Sequence, residues 1–404
     1  MSLAQTSNSS IDFKIREEQT IETAKKRRKN IKPRPTLKFN LWTVLKSSIG
    51  KDLTRIPVPV HFNEPLSALQ RITEDLMYSE MLDKAADCGI RGECVMQLAY
   101  LAAFTVSTYS KSLMRHTKPF NSLLGETYEL DRVEEEQWGW RCISEQVSHH
   151  PPTLALHAES FKRGWQFQQE FTVGIKFRGK YLAVHPRGCL RVDFKDGAMV
   201  TWNRATTHLH NILMGKLWID NCGLVKIVNH TNGYSCELEY VPYSLNAEKN
   251  RIVKGVIKGA NGEEEYFLSG YWDSYLKGSS SNDQTVNGEL LWRAMPPRKD
   301  AHAIHHFSDF AVELNEPEDG VAPTDSRLRP DQRLMEEGHW EEADKIKRKL
   351  EARQRCKRKE TKEPLWFKKV WDSCYRGNCY VTNRKYWEMK KKQDWSICPN
   401  IFTY

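Results

Sequence analysis

Residues 223–241 read GLVKIVNHTNGYSCELEYV, and the expected architecture of the chain follows from this pattern. Two segments rich in Val, Ile, Leu and Tyr flank the dipeptide Asn232-Gly233. Such a dipeptide between two β-type segments is typical of a two-residue hairpin turn with positive φ angles. Asn261-Gly262 stands between two further segments of the same kind. The pattern therefore predicts consecutive antiparallel hairpins.

Segments of this type recur at roughly ten-residue intervals from about Trp138 onward. They include residues 165–173, 180–185, 207–220, 223–229, 235–241, 251–257 and 265–273. No helix of the kind that joins parallel strands fits between them, so the sheet should be antiparallel. A long series of hairpins must either stack or close, and closure removes the exposed edges. We predict a mainly β fold with additional α-helices, in which a large antiparallel sheet forms a near-closed barrel.

Helical periodicity is found on the N-terminal side of these strands. In residues 65–86 apolar side chains recur at steps of three and four, and residues 95–109 are apolar on nearly every side. The second pattern is typical of a buried core helix. Residues 41–56 carry a narrower apolar stripe, which indicates an amphipathic segment. That stripe consists of Trp42, Leu45, Ile49, Leu53 and Ile56.

The composition excludes several classes of protein. Thirteen Trp, fifteen Phe and fifteen Tyr among 404 residues are too many for a disordered chain. The longest apolar run, residues 95–106, is shorter than the roughly 20 residues of a membrane-spanning helix, and no secretory signal is visible. The ten cysteines stand singly, which favours reduced thiols over a zinc site or a disulfide framework. We expect a soluble, cytoplasmic protein.

The net charge of +9 is concentrated in two segments. Residues 1–38 carry +6 and residues 345–369 carry +9, so the remainder is mildly acidic. A nucleic-acid-binding domain would spread its basic residues over a folded face, which is not seen. Basic flanking segments instead fit anionic membrane surfaces. We predict that residues 1–38 form a flexible basic arm, with a solubilising tail or an address signal as the alternative to membrane contact.

The most unusual local string is EQVSHHPP at residues 145–152. Adjacent residues of a regular strand point to opposite faces, so His149 and His150 would share no partner within one. Pro151 ends the strand, because it lacks an N–H donor and forces the preceding residue into an extended conformation. The two imidazoles are then left at a rim. There they suit a metal, a proton relay, an anionic group such as phosphate, or a purely structural role.

Charged residues form two further patterns. The string KPFN at residues 118–121 offers the cation of Lys118 and the amide of Asn121 on a turn. The charge-dense segment 331–363 predicts a C-terminal helix that faces solvent. On it Lys347, Glu351 and Arg355 are spaced by four, so the Glu side chain can hold both cations extended. Taken alone, the KPFN string can be an ordinary loop, and the charged stripe can be a solvated helix with salt bridges.

The octapeptide at residues 145–152 matches the signature of the oxysterol-binding protein family at every position. Further blocks, from about residue 30 to the end, resemble the lipid-binding domain of that family in the same order. These blocks are residues 41–46, 62–66, 118–126, 210–212, 215–219, 323–333 and 392–399. The C-terminal tail is most similar to the founding oxysterol-binding protein and its nearest paralogue. The chain is therefore identified as a member of this family.

This resemblance implies a barrel around a lipid tunnel with an N-terminal lid. It implies an intracellular lipid transfer protein, not an enzyme, that exchanges a sterol (cholesterol or oxysterol) and a phosphatidylinositol phosphate, expected to be the 4-phosphate, between membranes. No cofactor, metal or nucleic acid is implied. The residues expected around the phosphoinositide headgroup are Lys118, Asn121, His149, His150, Lys347, Glu351 and Arg355. The lid residues expected to cover the tunnel are Trp42, Leu45 and Ile49.

Residues 39–404 are expected to form the lipid-binding domain behind the arm of residues 1–38. Its parts are a lid (39–56), a helical part (57–115), the barrel (116–316) and a C-terminal helical subdomain (317–404). Neither a pleckstrin-homology domain nor an acidic diphenylalanine motif is found before residue 38, so we expect a short form or an excised domain. Transient, peripheral binding at contacts of the endoplasmic reticulum and Golgi type is expected from the family.

Several alternatives stay open at this point. Within the family, the chain can be a sterol-dependent sensor or scaffold without net transport, or a carrier of phosphatidylserine instead of sterol. A hydrolase would use Ser148 and His149 as nucleophile and base, although no Gly-x-Ser-x-Gly elbow surrounds Ser148. A zinc enzyme would use His149 and His150 with His157 or Asp325, although no His-Glu-x-x-His string occurs.

Overall fold

The structure is a computed structural model that describes residues 26–35, 59–115, 117–179, 181–212, 217–245, 250–280, 287–356 and 363–404. The strands are β1 (Asn63–Ser67), β2 (Lys118–Phe120), β3 (Thr127–Asp131), β4 (Trp140–His149), β5 (Pro152–Ser160), β6 (Gln166–Phe177), β7 (Tyr181–Arg187), β8 (Leu190–Asp193), β9 (Met199–Trp202), β10 (Thr206–His210), β11 (Trp218–Asn229), β12 (Ser235–Tyr240), β13 (Ile252–Lys258), β14 (Glu264–Tyr271), β15 (Tyr275–Ser279), β16 (Glu289–Arg293), β17 (Phe367–Asp372) and β18 (Gly377–Thr382). The helices are α1 (Ala68–Thr73), α2 (Glu80–Ile90), α3 (Cys94–Ser110), α4 (Asp309–Glu313), α5 (Pro330–Glu336), α6 (Trp340–Cys356) and α7 (Lys385–Lys392). The predicted lid residues Trp42, Leu45 and Ile49 lie outside the described residues.

Fourteen strands, β3 to β16, form one sheet whose main path runs β16-β15-β14-β13-β12-β11-β10-β7-β6-β5-β4-β3. Every pair in it is antiparallel. The short strands β8 and β9 pair with each other and bridge β6 to β11 a second time. The strand order follows the chain because consecutive hairpins build the sheet. The predicted large antiparallel sheet is confirmed.

The two Asn-Gly turns differ from the prediction in length. The N–H of Asn229 donates to the carbonyl of Tyr234, so this bonded pair encloses a turn of four residues, 230–233. Gly233 has φ +80°, but Asn232 stays outside the left-handed region. The side chain of Asn229 accepts the N–H of Thr231 at 3.0 Å, and this local hydrogen bond favours the longer loop over the predicted two-residue turn.

Helix α3 packs across one face of the sheet. It contacts every strand from β11 to β16. Leu98 and Leu101 are fully buried, and the ring of Phe104 lies edge-on to that of Phe167, with ring centroids 5.6 Å apart. The prediction that this all-round apolar helix belongs to the core is confirmed. No helix in the described part of the chain is long and apolar enough to cross a membrane.

Residues 26–35, within the predicted arm, lie against the body. Arg27 pairs with Glu135 at 2.7 Å, and Arg28 pairs with Glu336 at 2.6 Å. The prediction of a flexible arm is therefore wrong for this segment, because acidic groups of the body bind its basic side chains. The remainder of the predicted arm lies outside the described residues.

The C-terminal part departs from its prediction in two ways. Strands β17 and β18 form an antiparallel hairpin within the segment that was predicted to be helical. The charged segment forms two helices separated near Gly338, which has φ +87°. Helix α6 also does not simply face solvent, since Ile346, Lys347 and Leu350 are buried. An ion pair with Glu351 allows the Lys347 ammonium to occupy the buried face.

Candidate functional site

The twin histidines lie at the hairpin between β4 and β5. Strand β4 ends at His149 and β5 begins at Pro152, so the strand ends where the Pro-Pro sequence predicts. His149 is half-buried and His150 is exposed. Their ring centroids are 4.4 Å apart with a tilt of 52°. The end of the strand therefore brings both imidazoles together at one rim of the sheet.

Helix α6 reaches this rim through Gln354. Its Nε2 lies 2.7 Å from Nδ1 of His149, and its Oε1 accepts the N–H of Leu124 at 3.0 Å. One side chain thus joins α6, the loop after β2 and the end of β4. Sequence reasoning missed Gln354, although it lies three residues after Glu351 and seven after Lys347, a spacing that shares a helix face.

The two lysines of the predicted site approach each other beside Glu351. Lys347 Nζ lies 2.9 Å from Glu351 Oε1. The Lys118 side chain is exposed, yet protein surrounds it closely enough that lost solvation, followed by the like charge of Lys347, lowers the pKa of its ammonium. Glu351 partly opposes this shift. Two cations against one carboxylate leave a net positive charge here, which suits an anion.

Lys118 lies on a strand and not on the predicted turn. Strand β2 pairs in parallel with β1. Nδ2 of Asn63 donates to the carbonyl of Lys118 at 3.1 Å and to that of Pro119 at 3.2 Å. These bonds fix the backbone that carries the Lys118 side chain.

Asn121 lies in the loop that follows β2, and Arg355 lies on α6 with Lys347 and Gln354. The carbonyl of Asn121 accepts a hydrogen bond from Nη1 of Arg329 at 2.8 Å. Arg329 is fully buried and pairs with Glu126 at 3.0 Å, so the loop after β2 is anchored to the body. Arg355 is exposed in the last turn of α6, one residue after Gln354.

The first half of the octapeptide has a different role. The carboxylate of Glu145 accepts the N–H groups of Leu365 and Trp366, each at 2.9 Å. Burial raises the pKa of Glu145 to about 7, despite the two N–H donors that favour its charged form. Val147 packs in the same apolar cluster as Trp366. Glu145 and Val147 therefore attach the C-terminal segment to β4.

The ligand set of the zinc-enzyme alternative is not brought together. His157 lies five residues along β5 from the hairpin, roughly 16 Å at about 3.3 Å per residue. Both carboxylate oxygens of Asp325 accept hydrogen bonds from Arg327, at 2.9 and 3.0 Å. Among the described residues, the twin histidines form no metal-binding group of three with either of these residues.

Comparison with known proteins places this chain in a family. A sequence model described as Oxysterol-binding protein matches residues 40–391. Oxysterol-binding protein 2 of Mus musculus is 46% identical over 93% of this chain and 44% of its own length. Oxysterol-binding protein-related protein 3 of Homo sapiens is 38% identical over 91% of this chain and 41% of its own length. The chain spans less than half the length of these two relatives.

Solved structures share the whole fold. The Osh1 ORD domain in complex with ergosterol has a TM-score of 0.83 and 33% identity, over 97% of this chain and 98% of that domain. The Osh3 ORD in complex with PI(4)P, from Saccharomyces cerevisiae, has a TM-score of 0.81 and 32% identity, over 93% of this chain and 99% of that one.

Proposed function

Because the chain belongs to the oxysterol-binding protein family, we propose that it is a lipid-transfer domain that binds a sterol or phosphatidylinositol 4-phosphate in one interior site and exchanges them between membranes. The observation that supports this proposal is the contact of Gln354 with His149, which joins the twin histidines to α6, the helix that carries Lys347 next to Lys118. The likeness to domains solved with ergosterol and with PI(4)P supports the choice of lipids.

The headgroup is recognised through charge. A phosphate monoester carries about two negative charges near neutral pH, and burying it without partners is prohibitively costly. Lys118 and Lys347 supply cations, and the two imidazoles supply further N–H donors, whose bonds to a charged phosphate are stronger than neutral ones. The Glu351 carboxylate lies 2.9 Å from the Lys347 ammonium and so restricts the position of this cation. Asn121 and Arg355 complete the proposed set.

Gln354 is a positioning residue in this proposal. Its contact with His149 at 2.7 Å fixes the imidazole against α6. Its hydrogen bond from Leu124 fixes the loop between Lys118 and the sheet. The side chains that meet the phosphate are thereby held before the lipid arrives, which lowers the entropy cost of binding.

The apolar parts of both lipids require enclosure. At about 0.8 kcal/mol per methylene, some twenty apolar carbons exposed to water cost on the order of 15 kcal/mol. A carrier must therefore cover its lipid before it leaves the bilayer. We assign the interior of the barrel to this task and the segment of residues 39–56, with Trp42, Leu45 and Ile49, to its lid.

The cellular setting follows from the same proposal. Exchange between two membranes needs only transient, peripheral contact with each, and anionic headgroups attract the basic segments of the chain. We propose action on the cytoplasmic side of endoplasmic-reticulum and Golgi membranes, at their contact sites.

The test is a double substitution of His149 and His150 by Ala. It is expected to abolish extraction of phosphatidylinositol 4-phosphate from liposomes while sterol extraction continues, because only the phosphate uses the imidazoles. His230→Ala, at an exposed histidine bonded to Thr201, is the matched control and should leave both activities unchanged. Equal loss of both lipids would contradict the headgroup site. Mass spectrometry of co-purifying lipids would reveal phosphatidylserine if it replaces sterol.

A further inference from the structure

A cluster of metal-ligating side chains lies on strands β10 and β11. His208 and His210 are two residues apart on β10, so they share one face of the sheet. Asp220 lies directly across from His208 on β11. One nitrogen from each imidazole and one carboxylate oxygen lie within 4.8 Å of one another. Within the described ranges, no other group of three such residues lies as close.

This cluster is on the face of the sheet opposite the core. Val225 and Ile227 of β11 pack in the core that contains α3. Side chains alternate along a strand, so Asp220 faces the other way, as does Leu224, which is 48% exposed. The cluster therefore lies on the opposite face from the core, and strands β7, β6 and β5 separate β10 from β4, which carries the twin histidines.

Surrounding groups hold the three side chains in place. Trp218 stacks on His210 with ring centroids 3.9 Å apart and planes within 6° of parallel. The ring centroid of Tyr181 lies 4.6 Å from that of His208. The backbone N–H of Tyr243 donates to Oδ2 of Asp220 at 2.9 Å. Outer contacts of this kind orient metal ligands before the ion arrives.

Hydrogen bonds within the described part of the chain do not satisfy every polar atom of the cluster. His210 Nε2 is buried and has no hydrogen-bond partner in the described part of the chain. Buried polar atoms normally have a hydrogen-bond partner, so an unpartnered nitrogen here is consistent with a bound ligand. Sγ of Cys222 lies 3.6 Å from Nδ1 of His208 and offers a soft donor next to the cluster. Imidazole and carboxylate ligands with a thiol nearby suit Zn²⁺ better than Mg²⁺ or Ca²⁺.

We propose that His208, His210 and Asp220 bind one Zn²⁺ ion, with Cys222 beside the fourth coordination position. Sequence reasoning considered a metal only at His149 and His150, and the singly placed cysteines argued against a zinc site elsewhere. The ligands here come from two neighbouring strands, so the sequence retains only the short His-x-His pattern of residues 208–210. A bound ion would tie β10 to β11 across the ladder. The proposal is independent of the lipid-transfer function.

The test uses the whole chain, stripped of metal with a chelator and titrated with Zn²⁺ in a calorimeter. One ion per chain is expected to bind, with a rise in the thermal unfolding temperature. His210→Gln and Asp220→Asn should each weaken binding by at least about 100-fold, since even outer-shell substitutions cost roughly 10–100-fold. The control His230→Gln should bind like the wild type.

The proposal is overturned if the wild-type chain binds no Zn²⁺, or if both variants bind it as tightly as the wild type. Circular dichroism shows whether each variant is folded. If either variant is unfolded, NMR of the wild-type chain decides, because Zn²⁺ must shift the ring signals of His208 and His210. Unshifted signals with Zn²⁺ bound would place the ion at another site and refute the assignment.

Discussion

Replacing Gln354 by Ala tests whether α6 positions the twin histidines. The substitution removes the contact with His149 at 2.7 Å and leaves the N–H of Leu124 without its acceptor. A neutral hydrogen bond contributes about 1 kcal/mol net. If the bond to His149 is what orients the imidazole toward phosphate, its loss should raise the Kd for phosphatidylinositol 4-phosphate about fivefold. Sterol affinity should not change.

The assay is equilibrium binding to the purified chain, with a fluorescent sterol displaced by phosphatidylinositol 4-phosphate. The variant Gln354→Glu makes the assay more discriminating, because its carboxylate keeps an acceptor for the N–H of Leu124 but repels the phosphate. This variant should therefore bind the phosphoinositide more weakly than the Ala variant, although it retains more of the structure. Gln168→Ala is the matched control, since it also loses a half-buried amide hydrogen bond, to the Tyr380 carbonyl at 3.0 Å, at another place in the sheet.

Two results would refute this reasoning. If Gln354→Glu binds phosphatidylinositol 4-phosphate as well as the wild type, no phosphate lies near residue 354. If Gln354→Ala weakens both lipids equally, the side chain supports the fold in general and does not act on the headgroup site.

Two further predictions concern pH. Burial alone would raise the pKa of Glu64, but Arg115 and Arg71 lower it to about 2. This carboxylate therefore contributes about 3 kcal/mol of stability above pH 4.5, which is lost as the pH falls toward 2. Glu64→Gln should lower the stability to urea at pH 7 and flatten the loss of stability at acid pH, and an unchanged acid dependence would contradict the pairing. The pKa of Glu145 in the folded chain is raised to about 7, so its burial lowers the stability increasingly as the pH rises from 4.5 to 7, by up to about 3 kcal/mol. Glu145→Gln should remove this pH dependence of stability, measured by hydrogen exchange at the Trp366 amide. A pH dependence that persists in the variant would assign it to another group.

The sheet was predictable because the sequence signals of each hairpin lie within a short stretch of the chain. Alternating β-type residues and turn dipeptides are properties of short stretches, and antiparallel neighbours follow from chain order. The hairpin of β17 and β18 was missed because its turn carries no such signal. Arg376 adopts φ +55° there, a left-handed conformation that sequence rules assign to Gly or Asn.

The site was predictable only as far as residue type reveals chemistry. His149 and His150 stand out beside two prolines, and the resemblance to the family supplied Lys118 and Lys347. The burial of Lys347 was missed, because a charged residue is expected at the surface unless its partner is known. Gln354 was missed for a related reason, since the role of an amide depends on what the fold places beside it.

The contact between Glu145 and the backbone at Leu365 and Trp366 has a consequence for where the barrel ends as a folding unit. A fragment that stopped before residue 365 would lose both N–H groups and bare an apolar surface around Val147, at the strand that leads directly to the twin histidines. The last forty residues are thus part of the folded body and are needed to cover β4, although the sequence analysis assigned them to a separate C-terminal subdomain.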